Sequence, residues 1–294
     1  MDTVTHTLFG LTLYGSVDKT RMSRKEKGAL LLAAVGGSQI PDIDVISAWW
    51  DTQGRYQMWH RGITHSVFLV PVWAALITLI VRLLFKVRGW FWFGLAALAV
   101  LIHDVSDLFN AWGTGFLEPF SAVRVTFGTI PIVDVLFWII MGGAFLFAKF
   151  GRGRWRSHHV FRIAWGLIAL HVAIQTSQGY AIHNSLKEEY EQIALSADFV
   201  PGVFTVIGKQ DNIVEIRKGT LWSGMEEVAV LTSKEDADLD KLFAANPKAR
   251  TLYEWSPFVV IVEDGSRLGL YDPRFYRNGQ SFLFEYMDHV EDGK

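Results

Sequence analysis

Four short polar clusters carry the residue types in this sequence that could do metal chemistry. They are Thr5-His6, PDID at 41–44, HRGITHS at 60–66 and HDVSD at 103–107. Each supplies His or Asp, whose imidazole nitrogens and carboxylate oxygens suit zinc, manganese or iron. Each also lies at the edge of an apolar stretch, where burying an unpaired charge is costly. The pattern predicts a metal centre at a membrane face.

Spacing within the clusters indicates which side chains can share an ion. His103 and Asp107 are four residues apart, so on a helix they project from one face. Asp104 then points about a quarter-turn away. Asp42 and Asp44, two apart, share a face only in an extended segment. One of the two could bind metal while the other orients a ligand or bridges a second ion.

The HRGITHS cluster combines two histidines with a cation. His60 and His65 are five residues apart with Gly62 between them, which is typical of a turn followed by the start of a helix. Arg61 adds a fixed positive fork that suits a phosphate or a carboxylate. Taken alone, each His or Asp also has an ordinary interpretation as a helix cap or a hydrogen-bond partner. Several such clusters on one side of a membrane favour a shared site.

Composition places the chain among membrane proteins. Half of its 294 residues are hydrophobic and its net charge is only −2, so the composition suggests neither a disordered tail nor a nucleic-acid-binding surface. The 12 Trp and 21 Phe fit aromatic belts at bilayer interfaces. The sequence has no Cys, so any metal site must use His, carboxylate and water. No cleavable signal is expected, so membrane segments would direct insertion.

Apolar stretches predict the elements that position these clusters. A span needs about 20 mostly apolar residues, and the stretches 66–85, 91–109, 130–150 and 160–179 reach that length. The shorter stretches 4–17 and 29–46 are expected to be helices at membrane depth. Asp2 and Asp134 could each either hydrogen-bond to a metal ligand or cap a helix. His171 is expected to be buried or interfacial rather than a ligand.

From about Ser185 charged residues become frequent and apolar residues alternate, which favours β-strands. Strands are expected within 203–208, 212–222, 226–232, 258–265 and 281–287, with one helix over 235–245. The predicted fold class is therefore a multi-pass α-helical membrane domain over 1–182, with the metal site, followed by a small β-rich soluble domain over 185–294.

The distribution of Lys and Arg predicts the orientation. The loops 19–28, 82–88 and 149–156 are basic, and basic loops remain in the cytoplasm. Alternation of the helices then places every ligand cluster and the C-terminal domain on the outer side of the cell membrane. Charge bias and ligand placement are independent patterns, so their agreement favours one shared site.

The motifs resemble those of a known family. THTLFG at 5–10, GGSQIPDID at 36–44, HRGITHS, and HDVSDLFNAWGTGFLEPFSAVRV at 103–125 resemble the membrane-bound, predicted metal-dependent hydrolases that include the LexA-binding, inner-membrane-associated hydrolases. The resemblance covers about residues 1–150. More distantly, the His/Asp pattern looks like that of zinc-dependent phospholipases C and P1-type nucleases, which hydrolyse phosphoesters. The chain departs from those enzymes by lacking their N-terminal Trp ligand and their HxxxE motif.

The resemblance implies a set of site residues. The implied metal ligands are His6, Asp42, His60, His65, His103 and Asp107, with Asp44 and Asp104 next. This set is larger than one tetrahedral zinc uses, so more than one divalent ion is expected, with zinc first and manganese or iron as alternatives. Arg61 and Arg124 are candidates to bind a substrate anion and, with Asp104, form the catalytic candidates. Either arginine could instead anchor lipid headgroups.

The leading hypothesis is a membrane-embedded, metal-dependent hydrolase that uses metal-activated water on a phosphoester, such as a phospholipid or a lipid-linked phosphate. The alternative is a non-enzymatic membrane protein with a structural or sensing metal and a partner-binding C-terminal domain. A transporter is less favoured because the ionisable groups gather at one face. Membrane lipid is the expected partner, a protein partner of the C-terminal domain is left open, and no nucleic acid is expected.

Overall fold

The computed structural model describes residues 1–151 and 156–288. Contacts divide the chain into two compact units. The first comprises Met1–Asp44, Arg61–Ser177 and Phe199–Pro201, and the second comprises Val45–His60, Gln178–Asp198 and the described residues from Gly202 onward. The basic loop predicted over 149–156 lies partly outside the described residues, and the domain division at 182–185 stays a prediction.

Helices occupy the N-terminal half. In chain order they are α1 (Thr3–Ser16), α2 (Arg24–Gly37), the short α3 (Tyr56–Trp59), α4 (Val70–Phe85), α5 (Phe91–Asp107), α6 (Val135–Phe150) and α7 (Ser157–Leu186). Short 3-10 helices cover Ile40–Trp49, Ile63–His65, Val67–Leu69 and Lys187–Glu189.

Side-chain caps fix several helix starts. Ser23 and Glu26 form a reciprocal capping box at α2. Asp2 accepts hydrogen bonds from the backbone N–H groups of the first turn of α1, and Asp134 does so for α6. Both aspartates therefore act as caps, the simpler of the two roles that their sequence positions suggested.

Within residues 1–151 and 156–288, two helical stretches are long and apolar enough to cross a membrane, Val67–Phe85 and Ser157–Glu189. A third arises if α2 and the 3-10 helix Ile40–Trp49, bent by 54° to each other, form one broken span. Helices α5 and α6 have 17 and 16 residues, which is about 25 Å and less than the roughly 30 Å of hydrocarbon. The stretches predicted over 91–109 and 130–150 are thus shorter as helices, because α5 ends at Asp107 and the Asp134 cap starts α6 late.

Small residues let α1, α2 and α5 approach closely. A Cβ added to Gly10 would lie 2.8 Å from the Cα of Val35, and one added to Gly37 would lie 2.7 Å from the Cβ of Ala99. Ala33 and Ala96 are fully buried in the same cluster. Close backbone approach through glycine and alanine is the usual packing of membrane helices. It brings polar residues of α1 and α5 and those that follow α2 near one another.

We expect Gly37→Val to separate α2 from α5. The added side chain has no room beside Ala99, and overpacking of this kind costs about 1–3 kcal/mol. The matched control is Gly142→Val on α6, where an added Cβ meets nothing within 4 Å. Thermal unfolding in detergent measures the difference. Equal loss of stability in the two variants would contradict the close packing of α2 on α5.

The second unit is rich in β structure. Strands β1 (Gln192–Ala197), β2 (Val203–Gln210), β3 (Ile213–Thr220) and β4 (Gly224–Thr232) form an antiparallel sheet in that order. A second antiparallel sheet joins β5 (Val260–Glu263), β6 (Arg267–Tyr271) and β9 (Phe284–Asp288), and β7 (Tyr276–Arg277) pairs with β8 (Gln280–Ser281). The β-rich character of the C-terminal region is confirmed.

The helical part of this unit differs from the prediction. The helix expected over 235–245 begins only at Leu239, as α8 (Leu239–Ala245). A further helix, α9 (Pro247–Trp255), follows at once, with Asn246 capping it through the backbone N–H of Lys248. Proline is tolerated in the first turn of a helix because its missing N–H is not needed there. Pro247 therefore starts a helix rather than preventing one.

Candidate metal centre

Four elements of the first unit bring imidazoles and carboxylates to one point. Helix α1 supplies His6, the 3-10 helix after α2 supplies Asp42, and the turn before α4 supplies His65. The last turn of α5 supplies His103 and Asp107 on one face. All are fully buried except Asp42, whose side chain is 17% exposed. The centre is therefore buried, with one carboxylate reaching toward solvent.

Asp42, His65, His103 and Asp107 each present one donor atom to a common centre, and we call them the four-donor cluster. The Nε2 atoms of the two histidines are 3.1 Å apart. Asp42 Oδ1 lies 3.4 and 3.6 Å from those nitrogens, and Asp107 Oδ2 lies 3.5 and 3.7 Å from them. Donors held tetrahedrally at about 2.0–2.2 Å from one ion are separated by about 3.3–3.6 Å. The donor set fits one divalent ion.

Neighbouring groups orient both histidines of the cluster. His103 Nδ1 lies 2.7 Å from the carbonyl oxygen of Ser38, so this nitrogen can donate and Nε2 can act as a ligand. His65 Nδ1 lies 3.0 Å from the hydroxyl of Thr64 and 3.4 Å from Asp44 Oδ2. Asp44 thus contacts the ring nitrogen of His65 that does not face the cluster. This position suits the ligand-orienting role that the spacing of Asp42 and Asp44 allowed. Its ligand role stays a prediction.

The surroundings of His65 carry concentrated negative charge. Burial lowers the pKa of His65, but its hydrogen bonds to Asp42 and Asp44 raise the pKa by more, so the net shift is upward. Asp104 is also close enough to raise it electrostatically. A buried site with this excess of carboxylate attracts a cation.

His6 lies beside the four-donor cluster. Its ring stacks on His103 with centroids 3.6 Å apart, and its Nε2 lies 3.4 Å from Asp107 Oδ1. Neither ring nitrogen has a hydrogen-bond partner in the described part of the chain. Asp107 Oδ1 also contacts the amino group of Met1. The carboxylate of Asp107 therefore faces two sides, with Oδ2 in the cluster and Oδ1 toward His6.

Asp104 is a buried carboxylate that accepts no hydrogen bond from the residues that the structure describes. Its side chain is fully buried, and neither oxygen has a hydrogen-bond partner within residues 1–151 and 156–288. An isolated buried carboxylate is costly unless a cation or a proton compensates it. Asp104 interacts electrostatically with His65, so a cation held by the four-donor cluster would compensate its charge.

Arg61 packs against the centre rather than facing away from it. Its Nε lies 3.2 Å from Asp107 Oδ2, one terminal nitrogen donates to Asn110 Oδ1 at 2.7 Å, and the other donates to the Met1 carbonyl at 2.9 Å. Its backbone N–H donates to Asp44 Oδ2 at 2.9 Å. A φ of +58° at Arg61, unusual for a side chain of this size, turns the chain so that its side chain reaches Asp107.

Three further residues that the sequence singled out have contacts of their own. Arg124 is half-buried and donates to the Gly113 carbonyl at 2.9 Å. His60 belongs to the second unit, where its ring stacks on Tyr56. The roles of both residues stay predictions. His171 is buried, as expected, and its Nε2 lies 2.9 Å from Asp134.

Sequence reasoning missed three groups that support the centre. They are the Ser38 carbonyl, the Thr64 hydroxyl and the Asn110 side chain, which contact His103, His65 and Arg61 respectively. All three lie inside the motifs that carry the family resemblance. The Ser38 carbonyl is a backbone group and has no sequence signal, and the side chains of Thr64 and Asn110 are polar groups that any neighbour could have used.

Comparisons with known proteins agree with a membrane location. A family model described as YdjM inner membrane protein matches residues 1–182. The uncharacterized protein YfhP of Bacillus subtilis (strain 168) is 29% identical over 206 residues, which is 67% of this chain. The match spans 61% of that relative's own length. No solved structure matches the chain.

Proposed function

The chain belongs to the YdjM inner membrane protein family, and from that premise we propose that it is a membrane-embedded, metal-dependent hydrolase of a phosphoester. The four-donor cluster and its near-tetrahedral spacing carry the proposal. Zinc is the proposed ion because two imidazoles and two carboxylates at this spacing suit its four-coordinate geometry. Manganese and iron, which accept the same donors, are the alternatives.

A second ion is part of the proposal. His6 and Asp107 Oδ1 are 3.4 Å apart, a separation that again suits two donors of one ion. His6 and Asp107 would then help to hold this second ion, and two-ion sites are common in enzymes that cleave phosphoesters. Asp44, Asp104 and His60 are the further proposed donors.

Each remaining residue has a proposed task. When bound, the ions would supply Lewis acidity and activate water toward a phosphorus centre. Asp104 would accept a proton on its carboxylate, which is free of hydrogen bonds to other described residues. Arg61 would hold Asp107 in place, and Arg124 would bind the substrate anion. A phospholipid or a lipid-linked phosphate is the proposed substrate because the centre belongs to a membrane protein.

The test begins with metal analysis of protein purified in detergent. We expect at least one equivalent of a divalent ion, and hydrolysis of one or more members of a panel of phospholipids, lipid-linked phosphates and chromogenic phosphodiesters. Chelation should remove the activity, and restoring the ion should return it. Fully metallated protein that cleaves none of these compounds would exclude phosphoester hydrolysis.

A structural or sensing metal site is the second candidate, and a specific observation favours it. Four protein donors already complete a tetrahedron, and structural sites are closed whereas catalytic sites keep a position open. Cobalt substitution separates the two. In an open site, added phosphate should change the visible spectrum of the bound cobalt. An unchanged spectrum would favour the closed site, with the C-terminal region as a partner-binding module.

The proposed topology is multi-pass, with six helices at membrane depth and the C-terminal region outside the cytoplasm. A reporter that is active only in the cytoplasm, fused after Lys294, should therefore be silent. The matched control is the same reporter fused after Arg88, in the basic loop between α4 and α5, where it should be active. Activity of the Lys294 fusion would overturn the orientation.

A further inference from the structure

The turn between β3 and β4 exposes two large apolar side chains. Trp222 is 84% exposed and the preceding Leu221 is 38% exposed. Single exposed apolar residues are common and need no explanation by themselves. The position of this turn relative to the end of α7 is what suggests a function for it.

The β1–β4 sheet packs along the C-terminal end of α7. Within the second unit, Ile182 and Leu186 of α7 are buried against Leu195, Phe204 and Val206 of β1 and β2. The sheet is therefore fixed to the last turns of the helix by an apolar core, and its direction relative to that helix is defined.

Two contacts give that direction. A Cβ added to Gly208 of β2 would lie 2.5 Å from the ring of Tyr190, which follows α7, and a Cβ added to Gly202 would lie 3.4 Å from Oε1 of Gln178. From Gly202 to Gly208 the strand covers about 20 Å, and from Gln178 to Tyr190 a helix would cover about 18 Å. Strand β2 thus runs parallel to the end of α7, and its start lies beside Gln178.

The exposed turn lies at the end of the sheet where β2 begins. Thr220, the last residue of β3, pairs with Val203, the first residue of β2. Gln178 is near the end of the apolar stretch 160–179, within the candidate span Ser157–Glu189. The turn therefore lies at the level where α7 leaves the apolar layer, and tryptophan is enriched at that level of membrane proteins.

We infer that Leu221 and Trp222 insert into the lipid headgroup region of the bilayer that α7 crosses, and hold the β1–β4 sheet against the membrane. The occupant of this surface is lipid, because α7 both carries the sheet and fixes its level relative to the bilayer. The indole suits this layer, since its ring is apolar and its N–H can bond to water or to a headgroup. The inference needs α7 to span the membrane and does not depend on hydrolase activity.

The absence of cysteine from the chain allows a direct test. Leu221→Cys and Trp222→Cys are each labelled with an environment-sensitive fluorophore in the full chain and reconstituted in phosphatidylethanolamine–phosphatidylglycerol vesicles. The matched control is Asn212→Cys, an exposed position in the β2–β3 turn at the opposite end of the same sheet. We expect blue-shifted emission and quenching by brominated lipid at positions 221 and 222, and neither effect at 212.

Two outcomes would overturn the inference. Water-like emission at 221 and 222, with quenching by aqueous iodide equal to that at 212, would place the turn in solvent. Blue-shifted emission that brominated lipid does not quench, and that persists in detergent, would mean that protein covers the turn. The label at either position reports the environment of the turn, so the test does not depend on both variants folding.

Discussion

Replacing His103 and Asp107 together with alanine will abolish metal binding and leave the membrane segments inserted. The change removes two of the four donors, both from the last turn of α5. Structural metal sites with four protein donors, such as those of zinc-finger peptides, bind their ion with about 10–16 kcal/mol, and removing half of the donors from a site of comparable strength should lower affinity by far more than a hundredfold. Insertion depends on the apolar residues of the spans, and the two substitutions remove only polar side chains. Metal analysis of the purified variant measures the effect.

The control for this variant is His171→Ala. His171 is also a buried histidine of a helix, but its partner is Asp134 rather than any member of the four-donor cluster. We expect it to retain the wild-type metal content. A double variant that keeps full metal stoichiometry would show that the cluster does not hold the ion, whatever the result with His171→Ala.

The sequence predicted the centre best where local geometry decides it. The spacing of His103 and Asp107 on a helix required their side chains to share a face, and in the structure they contribute to one cluster. It could not separate Asp42 from Asp44, or His60 from His65. Those choices depend on the path of the backbone, including the positive φ at Arg61, which no pattern of residue types reveals.

The fold was predictable in outline and less so at its boundaries. Counting apolar residues overestimated the helices at 91–109 and 130–150, because α5 ends at Asp107 and the N-cap Asp134 starts α6 inside an apolar stretch. Strands β1, β6, β7 and β8 were missed because their sequences show little alternation of apolar and polar residues. Tertiary pairing, rather than local propensity, determines such short strands.

Arg61 links the four-donor cluster, through Asp107, to the neighbouring residue Asn110. Its guanidinium lies against Asp107 and donates to Asn110, so the positive charge offsets a buried carboxylate and also fixes its orientation. Lysine has the charge but not the planar fork that makes several contacts at once. The four-donor cluster itself does not include Arg61. Under the proposed function, loss of the guanidinium should therefore reduce metal binding less than it reduces turnover.

We expect Arg61→Ala to keep its metal at saturating concentration and to lose turnover. Loss of a group that orients a metal ligand costs about 10–100-fold in metal affinity or in activity, so kcat at saturating metal should fall by about that factor. Arg61→Lys should recover only part of the rate, and added guanidinium should partly rescue Arg61→Ala. Arg124→Ala is the matched variant and should raise KM more than it lowers kcat. Unchanged kcat in metallated Arg61→Ala would mean that the guanidinium has no part in turnover.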